Sequence, residues 1–438
     1  MQTQSAAPGH HGLRDFLPDD RSTSEEPRIR GLSAPPARHP AAPVIRATSP
    51  QTPPTPLRTL DPMNAKELCE RVLSAADVKV NGDRPWDIRV HNGDFYDRVL
   101  GQGTLGLGES YMDAWWDCDA LDEMMARSLK AGGEKLVSRN WVNAVQVLKA
   151  KFFNPQTRRG ARKVAEQHYD IDDRLYMSFL DPYNQYTCGY FKNADKHDLE
   201  RAQQDKMDLI CRKIKLKPTD RVLDIGCGWG GLAKWMAETY GCNVVGITIS
   251  QRQVDYARSH IHDPNVEIMN MDYRDVAAKV PGKFDKVVSI GMVEHVGWKN
   301  HRSFYEVARS VLAPDGLFLL QNCGQDVSRP HADPWIDRYI FPNGSIPSPV
   351  QLAKAFEGIF VLEDWHNMGA HYDHTLMAWW RRFDQSWPDF RAEYGDRFYR
   401  MFRYYMLSCA GAFRAREMQL HQTVYSPVGV AGGYVPER

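Results

Sequence analysis

The feature that most limits what this chain can fold into is a regular alternation of patterns between residues 198 and 322. Helical spacing over Asp198 to Ile214 predicts a helix, and the short apolar run Arg221 to Ile225 predicts a strand covered on both faces. A helix over Gly231 to Tyr240, a strand over Asn243 to Thr248 and a helix over Ser250 to His260 follow. Strands at Val266 to Asn270 and Phe284 to Ile290, a helix over Asn300 to Leu312 and a strand at Leu317 to Asn322 complete the pattern. Strands that alternate with helices pair in parallel, so the fold class is α/β with a doubly wound, mostly parallel sheet. Ligands of such sheets sit at the carboxyl ends of the strands.

At 438 residues the chain is longer than one ordinary small domain. Residues 1–62 hold 12 of the 27 prolines and almost no periodic apolar pattern, which predicts a disordered tail. A targeting segment is the other reading, because arginines recur there, but Asp15, Asp19, Asp20, Glu25 and Glu26 do not suit one. A smaller N-terminal α+β domain is expected over 63–148, opening with Leu68, Val72, Leu73 and Ala76 at helical spacing and continuing through Ile88 to Val90. The aromatic and acidic run Glu109 to Asp117 reads as a packed helix with a polar face. Residues 149–165 form a basic linker in which Lys149, Lys151, Arg158, Arg159, Arg162 and Lys163 surround Phe152 and Phe153. Such a run either crosses solvent between domains or lies on an anionic bilayer. The catalytic domain is expected over 166–438; beyond Pro330 it reads as helical and aromatic-rich, with Trp379, Trp380, Phe383, Trp387, Phe398 and Phe402 as core or as the wall of an acyl pocket.

The 55 basic and 55 acidic residues cancel, so no global positive field draws the chain to nucleic acid. No apolar run reaches the roughly 18 residues of a membrane-spanning helix, and the N-terminus lacks the apolar core of a secretory signal. A soluble, cytoplasmic protein is the expectation. Its eight cysteines are scattered without a CxxC pair, which predicts reduced thiols and no metal site.

Val222-Leu-Asp-Ile-Gly-Cys-Gly-Trp-Gly-Gly231 falls where the first sheet strand hands over to a helix, and its glycines let backbone approach a ligand. Asp224 before the glycines suits a nucleoside-binding turn. A dinucleotide enzyme would end the second strand with an acid to hold a ribose, whereas this one ends Gly246-Ile-Thr-Ile-Ser250. Asp272, closing the third strand, is placed either to accept from an adenine amine or to cap the next turn. Glu294 and His295 project past the fourth strand, and either could be a general base; a helix cap and simple packing are the competing roles.

Together, the run Gly226-Cys-Gly-Trp-Gly-Gly231, the pieces Gln185-Tyr-Thr-Cys-Gly-Tyr190 and Gly291-Met-Val-Glu-His-Val-Gly297, and Cys409-Ala-Gly-Ala-Phe-Arg-Ala-Arg416 resemble the cyclopropane-fatty-acyl-phospholipid synthase family. The resemblance runs from about residue 64 to about 428. It implies a Rossmann-like methyltransferase, peripheral to the membrane and homodimeric, that uses S-adenosylmethionine to methylate a cis double bond of an unsaturated phospholipid and then closes a cyclopropane ring. The alkene is a weak nucleophile, so the sulfonium must be held in line. The carbocation that follows needs a dry site and aromatic faces such as Tyr372. In this family a bound bicarbonate takes the proton.

By the same resemblance the cofactor lies against Tyr186 and Thr187, the loop carrying Asp224, Gly226, Gly228 and Gly230, the stretch with Thr248, Ile249 and Gln253, Asp272 with Tyr273, and Ile290. Cys188, Glu294, Gln321, Tyr372 and Cys409 would enclose the bicarbonate, with position 323 contributing only backbone. The family commonly has His at position 321, and Gln321 can donate to an anion but cannot carry a charge. No step requires Cys409 as a nucleophile. Two other readings stay open: a cation that ends as a methylene or methyl branch, and a lipid- or partner-binding module that keeps only cofactor binding.

Overall fold

The computed structural model describes residues 64–132, 172–192 and 195–438. The expected tail over 1–62 and the basic run over 149–165 lie outside the described residues. All described residues belong to one compact unit spanning 60–438.

The first helix, Ala65–Ala75, starts where the spacing puts it because Asn64 and Glu67 form a capping box. The Asn64 side chain accepts from the Glu67 N–H at 2.9 Å, and the Glu67 carboxylate accepts in return. Helices Phe95–Gln102, Thr104–Met112 and Leu121–Lys130 follow, with β1 (Arg89–Val90) and β2 (Trp116–Asp117) paired antiparallel. The aromatic and acidic run is part helix and part β2. Its Glu109 is tied to Arg98 at 2.8 Å and accepts from the Tyr339 hydroxyl at 2.8 Å.

The large sheet contains β3 (Arg221–Ile225), β4 (Asn243–Thr248), β5 (Val266–Asn270), β6 (Phe284–Ile290), β7 (Leu312–Gln325), β8 (Val361–Asn367) and β9 (Met418–Ser426) in the order β5-β4-β3-β6-β7-β9-β8. Only β9 runs against its neighbours. β3 to β6 match the sequence expectation residue for residue; β3, β4 and β6 are runs buried on both faces, whereas β5 is an edge strand with Ile268 buried and Glu267 and Asn270 exposed. β7 is longer than expected at both ends; at its start Pro314, Asp315 and Gly316 interrupt the apolar pattern, and at its end it continues through Cys323, Gly324 and Gln325. The region beyond Pro330 is helical, as expected, in Gly369–Ser386 and Arg391–Arg414, but it also contributes β8 and β9. These escape the pattern because β8 is a polar edge strand. In β9 the polar Gln419, His421, Gln422 and Thr423 are buried.

Strand order turns back on itself between β3 and β6, which opens a crevice at their carboxyl ends. Separate apolar clusters cover the two faces of the sheet. A third cluster joins the N-terminal helices to the C-terminal ones. There the Trp335 and Tyr404 rings meet at 4.6 Å, and Tyr111 lies against Tyr404 at 5.7 Å. Arg400 and Arg403, on the Arg391–Arg414 helix, donate to the backbone carbonyls of Tyr111, Trp116, Cys118 and Asp119. Residues 64–132 and the C-terminal helices therefore share one core.

Candidate active site

The turn after β3 needs glycine for conformation and for space. Gly226, Gly228 and Gly230 all have φ between 57° and 83°. A Cβ on Gly226 would come within 2.7 Å of Met292, and one on Gly230 within 2.7 Å of Ile261, whereas Gly228 faces open space. Every expected site residue except Gly230 lines a single cavity of about 1080 Å³ at the carboxyl ends of β3 and β6. Gly230 instead starts the Gly231–Tyr240 helix in the left-handed conformation.

At one end of the cavity stands Asp224, 2% exposed, whose burial pushes its carboxyl up to about 7 against the opposing pull of the Lys206 ammonium. Its Oδ2 has no hydrogen-bond partner. Thr248 donates to the Gln253 side-chain oxygen at 2.7 Å, and Ser250 caps the helix that presents Gln253. Asp272 also performs the competing role noted from sequence. Its carboxylate caps the turn through the Arg274 N–H at 3.0 Å and pairs with the Arg274 guanidinium at 2.6 Å. Tyr186 donates to the Tyr405 hydroxyl at 3.0 Å, with its ring 5.0 Å from that of Trp379.

At the other end Glu294 sits in a short 3-10 turn, Val293–His295, just past β6. Its backbone carbonyl accepts from Ser345, and its Oε1 accepts from the Cys323 N–H at 2.6 Å. The second oxygen, Oε2, is buried without a partner, and burial pushes the carboxyl up to about 7. Gln321, 1% exposed, accepts from Gln422 on β9 at 2.8 Å, which leaves its own Nε2 buried and unpartnered. Cys188 and Cys409 are both pushed up to about 12 by burial, so they stand as thiols. The half-buried Tyr372 ring packs 4.6 Å from Phe413. His295 also lines the cavity; its ring meets Phe341 at 5.6 Å and burial lowers its basicity.

Lys206 is the residue that motif reading passed over. Fully buried on the Leu199–Lys213 helix, it donates to the Gln185 side-chain oxygen and to the Thr187 hydroxyl at 3.0 Å. It thereby ties down the segment that carries Tyr186, Thr187 and Cys188. Burial lowers its own pKa to about 8, with Asp181, Cys188 and Asp224 opposing. A signal was available: Lys206 occupies the apolar stripe of its helix, in register with Leu199, Ala202, Leu209 and Ile210, where a lysine must find partners.

This strand order, with one reversed strand next to the edge and an acid ahead of a glycine turn, defines an S-adenosylmethionine-dependent methyltransferase. Residues 156–423 match the family model for mycolic acid cyclopropane synthetase. The chain is 48% identical over 370 residues to the cyclopropane-fatty-acyl-phospholipid synthase of Escherichia coli strain K12, covering 84% of this chain and 95% of that one. Among solved structures, the cyclopropane synthase MmaA2 from Mycobacterium tuberculosis superimposes with a TM-score of 0.55 at 28% identity, over 60% of this chain and 98% of that one. The mycolic acid cyclopropane synthase CmaA1, solved with SAH and CTAB, gives 0.55 at 27% identity over 60% and 98%. The chain belongs to the cyclopropane-fatty-acyl-phospholipid synthase family.

Proposed function

We propose that this enzyme transfers a methylene group from S-adenosylmethionine to the cis double bond of an unsaturated phospholipid acyl chain, with bicarbonate as the proton acceptor. One observation carries the reading: Glu294 Oε2 and Gln321 Nε2, which line the same cavity, are both buried and unpartnered. Such atoms are costly unless a ligand answers them. An acceptor or acid beside a neutral donor fits bicarbonate, which both donates and accepts. When bound, bicarbonate would supply a base for the proton lost at ring closure.

The chain's own residues do the rest. Asp224, Thr187 and the open face at Gly228 would hold the cofactor, with Gln253, Asp272 and Tyr273 at its nucleoside end. Ile249 and Ile290 would close apolar walls around it. Tyr372 would turn its ring toward positive charge developing on the acyl chain. Cys188 and Cys409, being protonated, would exclude water without capturing the cation. Glu294 would orient the proton acceptor. The CmaA1 complex with SAH and CTAB supports the cofactor end of this reading.

The substrate resides in bilayers, so the reading places the enzyme at the cytoplasmic membrane surface without spanning it. Among the described residues no helix is long and apolar enough to cross a membrane. A second copy of the chain is the partner that the resemblance implies; flotation with anionic vesicles and the mass in solution check these two points. The central test incubates purified protein with methyl-labelled S-adenosylmethionine and vesicles of monounsaturated phospholipid. Labelled acyl chains that resist catalytic hydrogenation are expected. Unlabelled lipid would refute the reading, and a readily hydrogenated product would replace the ring with a methylene.

A further inference from the structure

The cavity continues beyond the reacting centre into residues 68–129. At about 1080 Å³ it exceeds the roughly 300 to 1,000 Å³ that suits one small ligand, so it has room for two co-substrates together. Every residue that 68–129 contributes to the wall is uncharged, in contrast to Asp224, Asp272 and Glu294 in the remainder of the lining. Phe95, Val99 and Met124 form a buried floor, whereas Leu68, Leu73 and Leu129 line it half-buried. An apolar rim left partly wet is costly until hydrocarbon covers it. These residues also precede 156, where the match to the mycolic acid cyclopropane synthetase model begins, so this arm lies outside the matched residues.

We infer that this arm receives the stretch of the acyl chain remote from the reacting double bond, so that residues 64–132 select acyl length. The inference rests on the phospholipid reading above. A methylene chain needs no hydrogen bonds, which suits a wall whose polar members are few, and the arm opens into the same space as Glu294 and Gln321. Each methylene accommodated there is worth roughly a fourfold change in affinity.

The test uses the full chain and a series of monounsaturated phosphatidylcholines that differ only in acyl length. Leu129→Trp narrows the arm from the Leu121–Lys130 helix, and Leu129→Ala widens it at a half-buried position that tolerates truncation. The Trp variant should lose turnover on the longer chains roughly fourfold per excluded methylene while keeping the shorter ones. The Ala variant should move the optimum to longer chains. Both should bind S-adenosylhomocysteine within twofold of the parent. An active parent whose variants keep its length profile, or lose activity equally at every length, overturns the arm alone. A parent that methylates none of the series overturns the phospholipid reading and the arm with it. If the Trp variant fails to fold, the direction of the Ala shift decides.

Discussion

Replacing Lys206 with Met would empty a fully buried site of its charge while nearly conserving its volume. Two hydrogen bonds disappear, to the Gln185 side-chain oxygen and to the Thr187 hydroxyl, and Asp181 and Asp224 lose their nearest cation. Bonds from a charged donor contribute about 1.5 to 3 kcal/mol each. Desolvation of the ammonium, large enough to lower the Lys206 pKa to about 8, is removed at the same time, so the net loss of stability should be about 1 to 3 kcal/mol. The effect on the site is sharper. Lys206 is the group that opposes burial at Asp224, whose carboxyl already stands at about 7. Without it Asp224 should be protonated at neutral pH and, on the proposed reading, unable to accept from the cofactor. Titration calorimetry with S-adenosylhomocysteine should show affinity rising with pH through about 7 in the parent. In Lys206→Met the rise should move to higher pH, with a roughly 10- to 100-fold loss at neutrality. Unchanged affinity with an unchanged pH midpoint would refute the reasoning.

Glu294→Gln should abolish turnover while leaving S-adenosylhomocysteine affinity near normal; comparable losses of both would contradict its place at the proton acceptor. The same variant tests the burial of Glu294, whose pKa of about 7 in the fold lies above its ordinary 4.5. Its contribution is fully present below pH 4.5 and is lost as pH rises through about 7, so the stability of the parent relative to the Gln variant should fall across that window by a few kcal/mol. Parallel melting curves across that range would show that the carboxyl is not desolvated. Gln321→His should need roughly tenfold less bicarbonate for half-maximal turnover, because a charge-assisted contact replaces a neutral one; identical dependence in carbonate-depleted buffer argues against an anion there. Gly231→Ala places a Cβ 1.7 Å from the Tyr183 carbonyl oxygen, so the segment bearing Tyr186 and Thr187 must shift, with a loss of about 1 to 3 kcal/mol visible in thermal melts.

The sheet was legible where burial on both faces leaves only one reading of an apolar run, as in β3, β4 and β6. It was illegible in β9, where burial falls on Gln419, His421, Gln422 and Thr423 and the alternation that marks a half-wet strand never appears. That omission carried into the site. Gln321 could be named from the resemblance, but not the Gln422 bond that decides which end of its amide is left unpartnered, since the partner belongs to the strand that was missed. Glu294 was visible because the end of a buried strand is where such sheets work. Lys206 was not, because a lone lysine in an amphipathic helix reads as surface unless its register is followed.

The docking of Arg400 and Arg403 onto backbone carbonyls of residues 111–119 has a consequence for shortened enzymes. A chain trimmed to the length of the family model would lay bare Trp335 and Tyr404 and strip Arg400 and Arg403 of these carbonyl partners, with Arg403 keeping its place over the Trp380 ring. Folding without the leading segment calls for polar side chains on this face of the helix. Trimming this chain without such re-coating should convert a catalytic domain into an aggregating one.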